Sequence, residues 1–213
     1  MKSQKIKILI IYTIVFLISG CAIFPKLDQS KKEELLVEQL IKWETFRIDG
    51  IIEANYKNFS FRKNITIRKN KEALRADIYD AGIMGLHPTP FFSAYLDSIL
   101  ISRIPDQHEF IEISKHELIK KFPYMNYLIN LQTLYNYKDE IIRNNKVTID
   151  SLEFNFSKYM LIENIKHLNK QYKMEFEYFK EPSKIIFFSY KKEIANIQID
   201  KISYKYIEIQ ILD

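Results

Sequence analysis

From Phe46 onward, apolar and polar residues alternate with a period of two. Phe46, Ile48, Ile52 and Ala54 point one way, and Arg47, Asp49, Glu53 and Asn55 the other. That spacing predicts a strand with one buried face. After a turn at Tyr56-Lys57-Asn58, Phe59, Phe61, Ile65 and Ile67 continue the pattern against Ser60, Arg62, Asn64, Thr66 and Arg68. A turn at Asn70-Lys71 and a strand through Leu74, Ala76 and Ile78 complete an antiparallel meander. Ahead of it, Leu35, Leu36, Leu40 and Trp43 fall at helical spacing, so Lys31 to Trp43 is predicted to be an amphipathic helix. Ser30 and Glu33 match the S-x-x-E capping box at its start.

The alternation breaks between Asp80 and Pro90, where two of the four glycines and two of the six prolines fall. Glycine frees the backbone and proline removes a donor, so this segment is a loop. Phe91 to Ile104 reads as a long strand or bent pair, and Phe110 to Ile113 as a short one. Ser114 with Glu117 repeats the capping box, and Pro123 starts a second helical stretch, giving a helical middle from Ser114 to Arg143. Strands resume through Leu152, Phe154 and Phe156, then Tyr172, Met174, Phe176 and Tyr178. A turn follows at Glu181-Pro182-Ser183-Lys184, and a last strand holds Ile207, Ile209 and Ile211. The class is α+β: nine to eleven antiparallel strands, an opening helix and a central helical insertion. Sheets that large curl or close, and helices then plug the open side.

Lys2, Lys5 and Lys7, the apolar run from Ile8 to Ile18 and the small pair Ser19-Gly20 have the order of a secretory signal peptide. Ile18-Ser19-Gly20-Cys21 resembles the bacterial lipobox. The resemblance implies cleavage before Cys21, acyl chains on its sulfur and its new amine, and an anchor without a transmembrane helix. Residues 1–20 are then the signal, 21–32 a lipidated tether and 33–213 a single domain. Several acyl chains hold firmly where one holds marginally, at roughly 0.8 kcal/mol per buried methylene. Ala22, rather than Asp, follows the cysteine, which by the sorting rule of enteric bacteria implies the outer membrane, with the domain facing the periplasm.

Composition narrows the function. Removing residues 1–20 from 213 leaves 193, enough for one domain with a real core. The leader holds three lysines and no acid, so the formal charge of +5 falls to +2. A near-neutral chain makes no electrostatic case for nucleic acid. Cys21 is the only cysteine, so no internal disulfide is expected, and its acylation leaves no thiol for catalysis. His87, His108, His116 and His167 are scattered without zinc-ligand spacing. Asp77 and Asp80 straddle a strand end and read as solvated turn acids rather than a catalytic pair. Without a nucleophile elbow, P-loop or H-E-x-x-H, no enzymatic activity and no cofactor or metal is expected. Fourteen tyrosines and fifteen phenylalanines suit strands and cores. Where they line a cavity, the inward set is Phe46, Ile48, Ile52, Phe59, Phe61, Ile65 and Ile67.

An acylated cysteine, a short helix, the spacing Trp43-x-x-Phe46-x-Ile48-x-Gly50 and a meander together resemble the LolA/LolB-like outer-membrane lipoprotein group. The resemblance implies an unclosed, strongly curved barrel with helices over its concave face and a hollow that accepts acyl chains. It implies acyl chains or lipoproteins as ligands, and a periplasmic carrier as donor. Ile83, Met84 and Leu86 occupy the place of the apolar loop that meets the membrane in LolB. The same triplet could instead fold back and cap the barrel end. Two functions follow: a carrier of lipid or lipoprotein acyl chains, or a structural or assembly lipoprotein of an envelope complex with a filled barrel.

Overall fold

The computed structural model describes residues 27–56, 59–80, 90–97, 99–103, 110–121, 125–205 and 207–210. Twelve strands form one antiparallel sheet in the order β6-β5-β4-β3-β2-β1-β12-β11-β10-β9-β8-β7. Their ranges are β1 Phe46–Tyr56, β2 Phe59–Lys69, β3 Leu74–Tyr79, β4 Pro90–Leu96, β5 Ile99–Arg103, β6 Phe110–Ser114, β7 Lys146–Ile149, β8 Leu152–Phe156, β9 Ile162–His167, β10 Tyr172–Tyr178, β11 Pro182–Ser189 and β12 Lys192–Ser203. The sheet is two meanders of six strands joined where β12 returns to pair with β1. Among the described residues β6 and β7 do not pair, so the barrel is unclosed.

The sheet is too wide to be flat. Twelve strands spaced about 4.8 Å apart would span about 50 Å, and open sheets of that size curl. Ile78 on β3 and Ile149 on β7 lie eight places apart in the strand order, yet belong to one buried cluster. The concave face supplies the wall of that cluster, with Phe46, Ile48, Ile65, Phe154, Ile165 and Ile197 among its members. Directly paired residues share a face, so the register Ile48↔Ile67, Gly50↔Ile65 and Ile65↔Ile78 carries the inward row from β1 to β3.

Helices fill the hollow of the curve. Helix α1 (Gln29–Lys42) buries Leu36, at 0% exposure, and Leu40, and hands over to Trp43. The Trp43 ring meets Phe46 edge-on at 5.3 Å and Phe176 at 5.6 Å. The middle of the chain forms α2 (Lys115–Lys121), α3 (Met125–Ile129), a 3-10 helix (Leu131–Tyr137) and α4 (Lys138–Asn144). Leu131, Leu134, Ile141 and Ile142 bring that segment into the same core. Full burial of such side chains is worth roughly 1.5–3 kcal/mol each. Lys32 ties α1 to the insertion, donating to Ile142 O at 3.0 Å and Asn145 Oδ1 at 2.9 Å, and Glu33 pairs with Lys138.

Three expectations are corrected in detail. Helix α1 is capped by Asp28, whose carboxylate accepts from the Lys31 N–H at 2.7 Å, while Glu33 reaches Lys138 instead of closing a box with Ser30. The predicted turn at Glu181–Lys184 is already strand from Pro182, and the reversal lies at Phe179–Glu181, with Lys180 at φ 85°. Ile207 and Ile209 do not form a strand. β12 ends at Ser203, and the segment after it crosses to the β2–β3 turn, where Asn70 donates to Ile207 O at 3.2 Å and Arg75 to Gln210 O at 2.8 Å. Their alternation still has meaning, because Ile207 and Ile209 are half-buried and Glu208 and Gln210 exposed.

Candidate functional site

The two ends of the barrel differ. At the lower end, where α1 enters β1, Trp43, Phe46, Phe156 and Met160 are buried. At the upper end β1 turns into β2, β7 into β8, β9 into β10 and β11 into β12. There the register Phe154↔Ile165, Met174↔Ile165 and Met174↔Phe187 lays one apolar row across β8 to β11. Above it, Leu152, His167 and Tyr172 bound a hollow of about 180 Å³ that also touches Ile165, Met174 and Phe187. Its lining is almost wholly hydrocarbon and sulfur, and its polar groups sit at the mouth.

His167 lines the hollow beside Tyr172 and Lys173. Burial pushes its pKa below the usual 6.5, and the charge of Lys170 pushes it the same way. Its Nδ1 accepts from the Asn169 N–H at 3.2 Å, so the neutral ring keeps its proton on Nε2. Across the mouth, Tyr127 of α3 donates to Asp150 at 2.8 Å in the β7–β8 turn. That hydrogen bond, with burial, pushes the phenol up to about 12, so it remains a donor. It fastens the helical insertion to the rim.

Of the residues expected to line a cavity, Phe46, Ile48 and Ile65 lie in the buried cluster, and Ile52, Phe61 and Ile67 are half-buried against it. The side chain of Phe59 lies outside the described residues, as do Cys21, Ile83, Met84 and Leu86. The strands that flank the loop, β3 and β4, end and begin at the upper end, with Tyr79 paired to Pro90. The 180 Å³ hollow is built from the other six-stranded half: Leu152, Ile165, His167, Tyr172, Met174 and Phe187, with Ile194 and, from the opposite face, Lys173 and Phe188 at its edge. The alternation of Tyr172, Met174 and Phe176 signalled the face; nothing local signalled that it faces a gap.

Asp77 and Asp80 do not form a carboxylate pair. Asp77 is 0% exposed on the face opposite the core, where it accepts from Arg68 at 2.8 Å, Arg75 at 2.9 Å and Ser93 at 2.8 Å. Asp80 pairs with Lys63. Of the histidines, His87 and His108 lie outside the described residues, and His116 is exposed on α2. Among the described residues no three His, Cys, Asp or Glu side chains gather as a metal site would require. A larger hollow of about 330 Å³ at the lower end is polar, bounded by Glu44, Lys69, Asn70 and Lys115. Burial lowers the pKa of Lys69, whose ammonium donates to Glu44 O at 3.0 Å.

No protein-family model matches the chain, and no curated protein does. Among solved structures it is similar to a LolA-superfamily protein from Nitrosomonas europaea, at 10% identity and a TM-score of 0.48, over 84% of this chain and 95% of that one. It is also similar to a domain described as an outer membrane lipoprotein-sorting protein from Vibrio parahaemolyticus, at 8% identity and a TM-score of 0.43, over 83% of this chain and 93% of that one.

Proposed function

We propose that this chain is a non-enzymatic lipoprotein of the bacterial outer membrane, anchored through acylated Cys21, that shelters acyl chains of lipids or lipoproteins. The observation that carries the reading is the apolar hollow between Met174, Phe187 and Leu152 at the upper end of an unclosed sheet. An acyl chain entering there leaves water at about 25 cal/mol per Å² of apolar area. The hollow is smaller than the roughly 300–1,000 Å³ of typical ligand sites. It receives the end of a chain, and half-buried Ile52 and Phe61 extend an apolar path along the same concave face. Ile83, Met84 and Leu86 are proposed as the loop that meets the bilayer, and a periplasmic carrier as the donor of cargo.

The test is saturable binding of a fluorescent fatty acyl probe by the Cys21→Ser chain, beside mass spectrometry of the wild-type N-terminus. A diacylglyceryl-modified Cys21 and one probe per chain are expected. The second reading, an assembly lipoprotein with a filled barrel, draws on the fully buried Leu36, Leu134 and Met160 of the core. It predicts no probe binding and a stable protein partner.

A further inference from the structure

Three neighbouring turns at the upper end are fastened into one rim. The Leu168 N–H donates to Ser151 O at 2.8 Å, Asn169 Nδ2 to Ser151 Oγ at 3.1 Å, and the Tyr190 N–H to Gln171 O at 3.0 Å. Two of these turns have an unusual composition. Residues 166–173 and 189–192 contain five lysines, three tyrosine or leucine side chains and no acid. Lys166, Lys170, Lys191 and Lys192 are exposed. Lys173 pairs with Glu175 and lies 6.0 Å from the Phe188 ring centre. Of the other acids nearby, Glu153 stands opposite Lys166 in the ladder, Asp150 of the third turn accepts from Tyr127, and Glu193 accepts from Asn196 at 2.7 Å.

The backbone adds an independent observation. Tyr190 and Lys191 fill the two-residue turn between β11 and β12 at φ 51° and 66°. Such turns favour Asn-Gly, because both central residues need positive φ. A side chain there crowds the following carbonyl oxygen. The chain accepts that cost and sets an aromatic ring and a cation at the tip, with Tyr190 at 70% exposure. Gln171, at φ 51°, does the same beside Tyr172, and Tyr172 and Leu168 are each 44% exposed. Between these turns lies a shallow outer groove of about 440 Å³ bounded by Lys166, Leu168, Tyr172, Lys173 and Lys191, with Glu175, already paired to Lys173, as its one acid.

We infer that this rim is a docking surface for an anionic phospholipid bilayer. Tyrosine rings settle at the headgroup level, with the ring in the apolar boundary and the hydroxyl in water. Lysines reach past them to headgroup phosphates, keeping their methylenes on the apolar side. The charge is local: the chain after residue 20 has a formal charge of only +2. Docking by this rim points the mouth of the hollow at the membrane. The inference rests on the reading that the domain works at a membrane surface, and it holds whether or not the hollow takes a chain.

The experiment places a fluorescent reporter on the rim of the full chain. The single tryptophan, Trp43, is buried, so Tyr190→Trp adds a distinguishable signal. Phe179→Trp, on an 82% exposed residue at the lower end, is the control. Each chain is added to vesicles of phosphatidylcholine, with or without phosphatidylglycerol, carrying brominated acyl chains. The Tyr190→Trp emission should shift to the blue and be quenched only with phosphatidylglycerol. The shift should be lost at high salt and in the Lys170→Glu, Lys191→Glu, Lys192→Glu variant, while the Phe179→Trp signal stays unchanged. Equal emission in both vesicle types, or equal quenching at the two ends, overturns the inference. Acyl-probe binding on the same proteins reports separately on the hollow, so either idea can fail without the other.

Discussion

Gly50 shows how tightly single residues are specified. A Cβ built there would lie 2.2 Å from Gln198 O, against backbone that cannot yield. Beside it the β1–β12 register shifts, leaving Asp200 bulged opposite the pair Asp49 and Gly50. Gly50→Ala should therefore destabilise the protein by about 2 kcal/mol, read as a lower denaturant midpoint at constant slope. Asp77 is a second such position. Its loss leaves Arg68 and Arg75 without their shared anion, and Asp77→Ala should cost about 3 kcal/mol. His167 supplies a pH dependence. Its folded pKa lies below 6.5, so as pH falls past 6.5 the unfolded chain takes up a proton first. Stability should decline from there toward the folded pKa, and thermal melts of His167→Gln should lack that part of the decline.

At the scale of elements, α1 separates two readings of its own start. Asp28, not Ser30, accepts from the free Lys31 N–H. Asp28→Ala should lower stability by about 1 kcal/mol, and Ser30→Ala by far less, in parallel denaturant titrations. Regular alternation made β1 to β3, β8 and β10 legible in the sequence. β9 was not, because the register slips between Asn155 and Phe156. Its buried residues, Ile162, Ile165 and His167, therefore fall three and then two apart. With β7, β11 and β12 it brings the count to twelve, above the nine to eleven expected. The same kind of slip between Phe187 and Phe188 blurs β11 and β12. Ile207 and Ile209 mislead in the opposite direction, since packing on the β2–β3 turn imposes a period of two without a ladder partner. The face of the candidate site was legible in Tyr172, Met174 and Phe176. The gap above it was not, since it lies between side chains of five strands, β8 to β12, and no local pattern encodes their spacing.

The whole molecule divides along its axis. The lower end carries a polar hollow beside the core of Leu36, Leu134 and Trp43, and the upper end an apolar hollow beside a rim of tyrosine and lysine. An anchor at Cys21 would hold such a barrel beside the bilayer, and the rim would orient it. The central claim is that the hollow takes an acyl chain, and a titration of the Cys21→Ser chain with a fluorescent fatty acyl probe tests it most directly. The account predicts saturable one-to-one binding that free fatty acid displaces and that Met174→Trp, by filling the hollow, weakens by about tenfold. Absence of saturable binding, or binding that Met174→Trp leaves unchanged, would contradict it.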